Sequence, residues 1–372
     1  MPNENHIDVV ADFVYDSQNA QYNTDYRHWR KKTDAPYVYR YSGNPKESVY
    51  VEGKGITKRT VTGAERSALT HVSEILGAAF LAYLVCELAG GSALVWILQK
   101  FGLNVHLDFL TFSMGGSQWT VMLVRSIAAL IKYLTAYLIL YHGFRMPAKI
   151  RIPIFVGGLP EYILAAGLGM GAACVFCLVD AVSGQGAHTA EILFSYKEAA
   201  AMMAYALFDV IVFSVLSEAL LRGIVLPALR QFGDLFAICV LAGAAFLFPN
   251  TFPTRVGEFF VSAAACFIML KSGSLGKCIL LRAVYSAVCY SRLVLVYDDK
   301  SQMSIGRFLL ILTLSFVFCG AFYWLTRPKN RLLSNRQSYL PAGRKLLVFS
   351  ATVTMLPWLC LSALIIMVQM FF

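Results

Sequence analysis

The chain has 372 residues, of which 58% are hydrophobic and 15% charged, and its mean hydropathy is +0.60. A soluble domain carries about a quarter charged residues, so that class is excluded; repeated apolar runs of spanning length point to a polytopic helical membrane protein. The net charge of +10 lies in loops beside the apolar runs, where it sets topology and meets anionic lipid, and no nucleic-acid partner is expected.

The N-terminus, Met1-Pro2-Asn3-Glu4, lacks the basic-then-apolar pattern of a cleavable signal. Residues 1–66 read as a polar, tyrosine-rich cytosolic tail, either partly disordered or packed on the bundle. Residues 67–195 hold three spans, at about 75–98, 119–141 and 160–182, with a looser apolar stretch at 101–118 placed in the interface. The third span carries Gly167-x-x-x-Gly171, which permits close helix packing. Residues 196–300 hold four more, at about 199–229, 235–248, 257–271 and 275–296, and residues 301–372 the last two, at 305–325 and 346–372. Basic segments recur at the tail, at 142–151, at Arg230, at 271–277 and at 327–345. That alternation fits nine spans starting from a cytoplasmic N-terminus, in a bacterial plasma membrane.

All nine cysteines fall in apolar runs and read as small core residues, and Cys174-x-x-Cys177 lacks the second pair a metal site would need. No metal or other cofactor is expected. The informative residues are charges inside spans. Glu218 and Arg222 lie one turn apart on one face of the fourth span. Ionisable groups at membrane depth are costly and usually mark a site, yet an i,i+4 pair can also simply neutralise itself. Asp209, nine residues earlier, falls roughly half a turn away at about 3.6 residues per turn and needs its own partner.

Three stations follow one another: Ser217-Glu218-Ala219-Leu220-Leu221-Arg222-Gly223, Phe246-Leu247-Phe248-Pro249-Asn250, and Arg282-Ala283-Val284-Tyr285-Ser286. At about 1.5 Å per residue they lie some ~15–24 Å from the basic turns that precede or follow them, so they can converge at mid-membrane depth.

The arrangement resembles the CPBP family, the CAAX prenyl endopeptidases and bacteriocin-processing (Abi) intramembrane proteases. Their pattern is E-E-x-x-x-R, then F-x-x-x-H, then H-x-x-x-N, often after a Gly-Ser-Leu turn like Gly273-Ser274-Leu275. The resemblance covers about 199–296 and implies an all-α polytopic bundle of eight to nine transmembrane helices with a CAAX-protease-like core. In the family a glutamate helped by histidines activates water, and the asparagine stabilises the oxyanion.

Here Ser217 and Glu218 stand for the two glutamates, while Arg222 and Phe246 match the pattern. Asn250 and Arg282 replace the histidines, and Ser286 replaces the asparagine. Serine cannot stand in for a carboxylate base, and arginine neither deprotonates nor ligates metal. Glu258, at the start of a span on the far side, and Asp209, pointing elsewhere, are not expected to complete the site.

The leading reading is a catalytically inactive pseudoprotease, embedded in lipid, that binds or scaffolds a membrane peptide or protein partner. In it Arg282 pairs with Glu218, leaving Arg222 for Asp209 or an anionic group. The alternative is an active endopeptidase that uses Glu218 as base on a prenylated, bacteriocin-type or other membrane peptide. A transporter is disfavoured because no inverted repeat or paired broken helices are visible.

Overall fold

The computed structural model describes residues 20–32, 49–50, 57–58, 61–107, 114–154, 158–183, 199–248, 252–297, 303–326 and 340–371. The chain is an all-α polytopic membrane bundle. Among the described residues seven helices are long and apolar enough to cross a bilayer, or eight if one bent pair counts as a span. Large apolar side chains such as Leu134, Leu310, Leu314 and Phe318 point outward, as helices that face lipid tails require.

Helix α1 (Ala20–Lys32) precedes a two-residue ladder, β1 (Val49–Tyr50) with β2 (Thr57–Lys58). Helix α2 (Val61–Lys100) then runs 40 residues, starting well before the expected 75–98 and ending close to its expected end. The stretch placed in the interface contains a small antiparallel hairpin, β3 (Val105–Leu107) with β4 (Met114–Gly116), held to α2 by Gln99 Nε2 donating to the Val105 carbonyl at 2.8 Å. Ser117 caps the start of α3 (Gln118–Phe144), its hydroxyl accepting from Thr120 N.

After the short α4 (Ala148–Arg151) comes α5 (Leu159–Ser183), the central helix, packed on three others. Its glycines explain this. A methyl at Gly167 or Gly171 would meet Cys319 or Phe316 of α10 (Ile305–Thr326), and one at Gly169 would meet the Leu281 carbonyl of α9 (Leu275–Tyr297). The close approach expected of Gly167-x-x-x-Gly171 is therefore made to α10.

Helix α6 is continuous but not uniform. It joins Ala199–Phe208, a π turn at Asp209–Phe213, Ser214–Leu220, a second π turn at Leu221–Val225, and Leu226–Arg230. Pro227, which has no N–H to donate, follows the second turn. Helices α7 (Asp234–Leu247) and α8 (Phe252–Ser272) pack as an unequal hairpin. At about 1.5 Å per residue α7 reaches only ~21 Å, short of a ~30 Å hydrocarbon core, so the expected fifth span is a partial one. Phe80, Tyr83, Phe248 and Trp358 gather at its far end, with ring centroids 4.7–6.0 Å apart.

The expected ninth span is broken. Helices α11 (Ala342–Ser350) and α12 (Met355–Phe371) meet at 86°. Thr352 and Thr354 at the break turn their hydroxyls to Ser73 (2.9 Å) and to the Glu74 carbonyl (2.7 Å) of α2. Pro357, tolerated in a first helical turn, fits a helix that restarts at Met355.

The basic ends collect on one face. Lys277 of α9 meets Glu161 of α5, Lys345 of α11 meets the Phe232 carbonyl, and Lys271 of α8 lies 4.9 Å from the Tyr323 ring centre of α10. Helix α1 docks on this face. Tyr22 and Tyr26 are 1% exposed, Tyr26 donates to the Pro227 carbonyl at 2.8 Å, and Arg230 reaches Asn23 (2.7 Å) beneath both rings. Of the two alternatives for the tail, this part packs on the bundle.

Candidate functional site

The first and third stations do come together. Glu218, on α6, is fully buried, and Arg222 Nη1 donates to its Oε1 at 3.1 Å. Arg222 Nη2 donates to the Ser262 carbonyl of α8 at 2.8 Å, and Ser262 Oγ donates to the Leu241 carbonyl of α7 at 3.1 Å. The pair thus ties three helices together, which a helix-internal neutralising pair would not do.

Arg282, on α9, approaches from the opposite side. Its Nη2 donates to Glu258 Oε1 at 2.8 Å, and its Nη1 lies 3.9 Å from Glu218 Oε1. The result is an alternating row, Arg222–Glu218–Arg282–Glu258, spanning α6, α9 and α8. Such a row offsets the several kcal/mol cost of burying each charge only while every member stays in place.

Two expectations are corrected here. The expected Arg282–Glu218 ion pair is present at 3.9 Å, but Arg282 makes its closer contact with Glu258 and Arg222 keeps Glu218, so Arg222 is not left for Asp209. Glu258 is not remote either. It lies only six residues into α8, a drop of about 9 Å, and the length of the Arg282 side chain closes the remaining gap.

The other family positions are placed as follows. Ser217 is buried and its hydroxyl donates to the Ser214 carbonyl of its own helix at 3.2 Å, so it faces no reacting group. Ser286 lines the cavity described below, one turn beyond Arg282. Phe246 is half-buried, its carbonyl accepting from Arg255 Nη1 at 3.2 Å. Asn250 lies outside the described residues.

Above the row, towards the face away from the basic ends, a cavity of about 480 Å³ opens among α2, α3, α5, α6, α8 and α9. That volume suits a small organic ligand. Its walls carry charges in pairs: Glu87 with Lys132, Asp180 with Arg292 (2.5 Å), and Glu258 with Arg282. Tyr83, Tyr133, Tyr205 and Tyr290 supply hydroxyls and ring faces between them.

Reasoning from sequence missed most of this lining. Glu87, Arg125, Lys132, Asp180 and Arg292 all sit within or at the edge of apolar runs, and the rule that singled out Glu218 would have found them. Asp209 also lines the cavity, although ideal helical spacing from Glu218 turned it elsewhere. The π turn that begins at Asp209 changes the phase between them. No family model, curated protein or solved structure matches the chain.

Proposed function

We propose that the chain is a degenerate relative of the CPBP intramembrane endopeptidases, one that binds or scaffolds a membrane peptide or protein partner without cleaving it. The observation that carries this reading is Arg282 standing between Glu218 and Glu258. A general base needs a free lone pair within reach of the water it activates. Glu218 has Oε1 committed to Arg222 with the Arg282 guanidinium beside it. Its Oε2 has no hydrogen-bond partner among the described residues, but the side chain is fully buried and lines no part of the cavity, so no water reaches it there. Arg222 and Arg282 thus hold the carboxylate in an ion-pair row rather than against a water it could activate. In this reading the basic face lies in the cytoplasm of a bacterium, by the rule that positive loops stay inside.

The test is hydrolysis of a quenched fluorescent prenylated peptide by purified protein. Wild type is expected to be silent, whereas a peptidase would lose its turnover in Glu218→Gln. Hydrolysis by wild type that disappears in that variant would replace the scaffold reading with that of an active endopeptidase. A Ser217→Glu, Asn250→His, Arg282→His, Ser286→Asn variant that gains hydrolysis would support the family resemblance itself.

A further inference from the structure

Pairing the charges around the cavity leaves a remainder. Glu87, Asp180, Glu218 and Glu258 each have a basic partner, whereas Asp209 makes no ion pair among the described residues. Of the acids that line the cavity, Asp209 is the one without an ion pair among the described residues: the nearby cations Arg282 and Lys132 are held by Glu258 and Glu87. Arg125, the other cavity-lining charge without an ion pair among the described residues, is solvent-exposed.

A second observation points to the same place. Ser214 is 1% exposed and lines the cavity, and its hydroxyl has no hydrogen-bond partner among the described residues. The π turn joins the two residues directly, because the Ser214 N–H donates to the Asp209 carbonyl. A carboxylate that lacks an ion pair and a hydroxyl that lacks a partner among the described residues therefore sit one turn apart on the same helix. Around them stand Tyr205, Phe213 and Tyr290, with Tyr290 beside the Asp209 carboxylate.

We infer that this end of the cavity binds a primary alkylammonium group. Its three N–H donors match the carboxylate of Asp209, the oxygen of Ser214 and a tyrosine hydroxyl. Its charge cancels the remainder and meets aromatic faces, which attract cations most strongly where water is excluded. Met122, Ala129 and Met202 on the cavity wall accept the alkyl chain. A site built for a phosphate or carboxylate would carry the opposite imbalance. The inference concerns the cavity alone and stands whether or not Glu218 has any catalytic use.

The experiment titrates full-length protein in maltoside detergent at neutral pH with octylammonium, octanol or octanoate and reads the melting midpoint. Octylammonium is expected to raise the midpoint saturably, with no comparable rise from the other two. Asp209→Asn should abolish the rise, and Ser214→Ala should weaken apparent affinity about fivefold, the equivalent of one lost hydrogen bond. The inference is overturned by an equal rise with octanol, which would mean apolar burial alone. No rise at all, as expected if Asp209 simply holds a proton, would overturn it equally, as would an undiminished rise in Asp209→Asn. If Asp209→Asn does not fold, the charge selectivity of wild type and the Ser214→Ala titration decide the matter.

Discussion

Glu218 has guanidiniums on two sides and neither can leave cheaply. Replacing it with Ala strands Arg222 in a dry interior and leaves Arg282 to Glu258 alone, a loss of about 3–5 kcal/mol for breaking a buried pair. Glu218→Ala should therefore fold in lower yield and melt earlier, measured in detergent with wild type alongside. Exchanging both members, Glu218→Leu with Arg222→Met, should recover most of that loss, because an apolar pair of similar volume avoids desolvation altogether. If the single variant melts like wild type, the row does not stabilise the bundle. Much of this row was legible in the sequence, since charges in apolar runs announce themselves. The partner assignment was not. Arg282 could reach either of two carboxylates, and which one it takes depends on the packing of α8 against α9, which residue spacing does not encode.

At the scale of elements, the spans could be read from apolar length, and the departures share a physical cause. Hydropathy reports how apolar a run is, but not where its hydrogen-bond ladder changes. The π turns of α6, the stop after Leu247 and the 86° break after Ser350 all lie inside or beside continuous apolar sequence. Gly223 shows how tightly one of these irregular turns is built in. A Cβ added there would lie 2.5 Å from the Arg151 carbonyl of α4. Gly223→Ala should then cost about 1–3 kcal/mol as an overpacked core position, read as a lower melting midpoint. An unchanged midpoint would mean that α4 yields without penalty.

The whole molecule has two ends of different character, a basic face covered by α1 and an opposite face where the cavity opens. The cover has its own pH signature. Burial pushes the Tyr22 hydroxyl up from 10.0 to about 12, with Arg230 opposing the rise and Asp234 adding to it. The folded value lies above the unfolded one, so this stabilisation is complete below pH 10 and is lost as pH climbs towards 12. Protease protection of α1 should fade over that window, and Tyr22→Phe should fade less. Equal alkaline sensitivity in both would place the titrating group elsewhere. Nothing in the tail sequence distinguished this docked helix from the residues around it, because its anchors are partners about two hundred residues away.

The short reach of α7 makes the surrounding lipid a participant. Its outer side, with Leu235 and Cys239 exposed, faces acyl chains, yet the helix ends some ~9 Å before the far headgroups. Hydrophobic mismatch of that size is relieved by local thinning, so bilayers of shorter-chain lipid should hold this hairpin with less distortion than thick, sterol-like ones. Membrane thickness then becomes a handle on the protein. Where α7 stops, the bilayer itself would be pinched on one flank of the bundle and left undisturbed on the others.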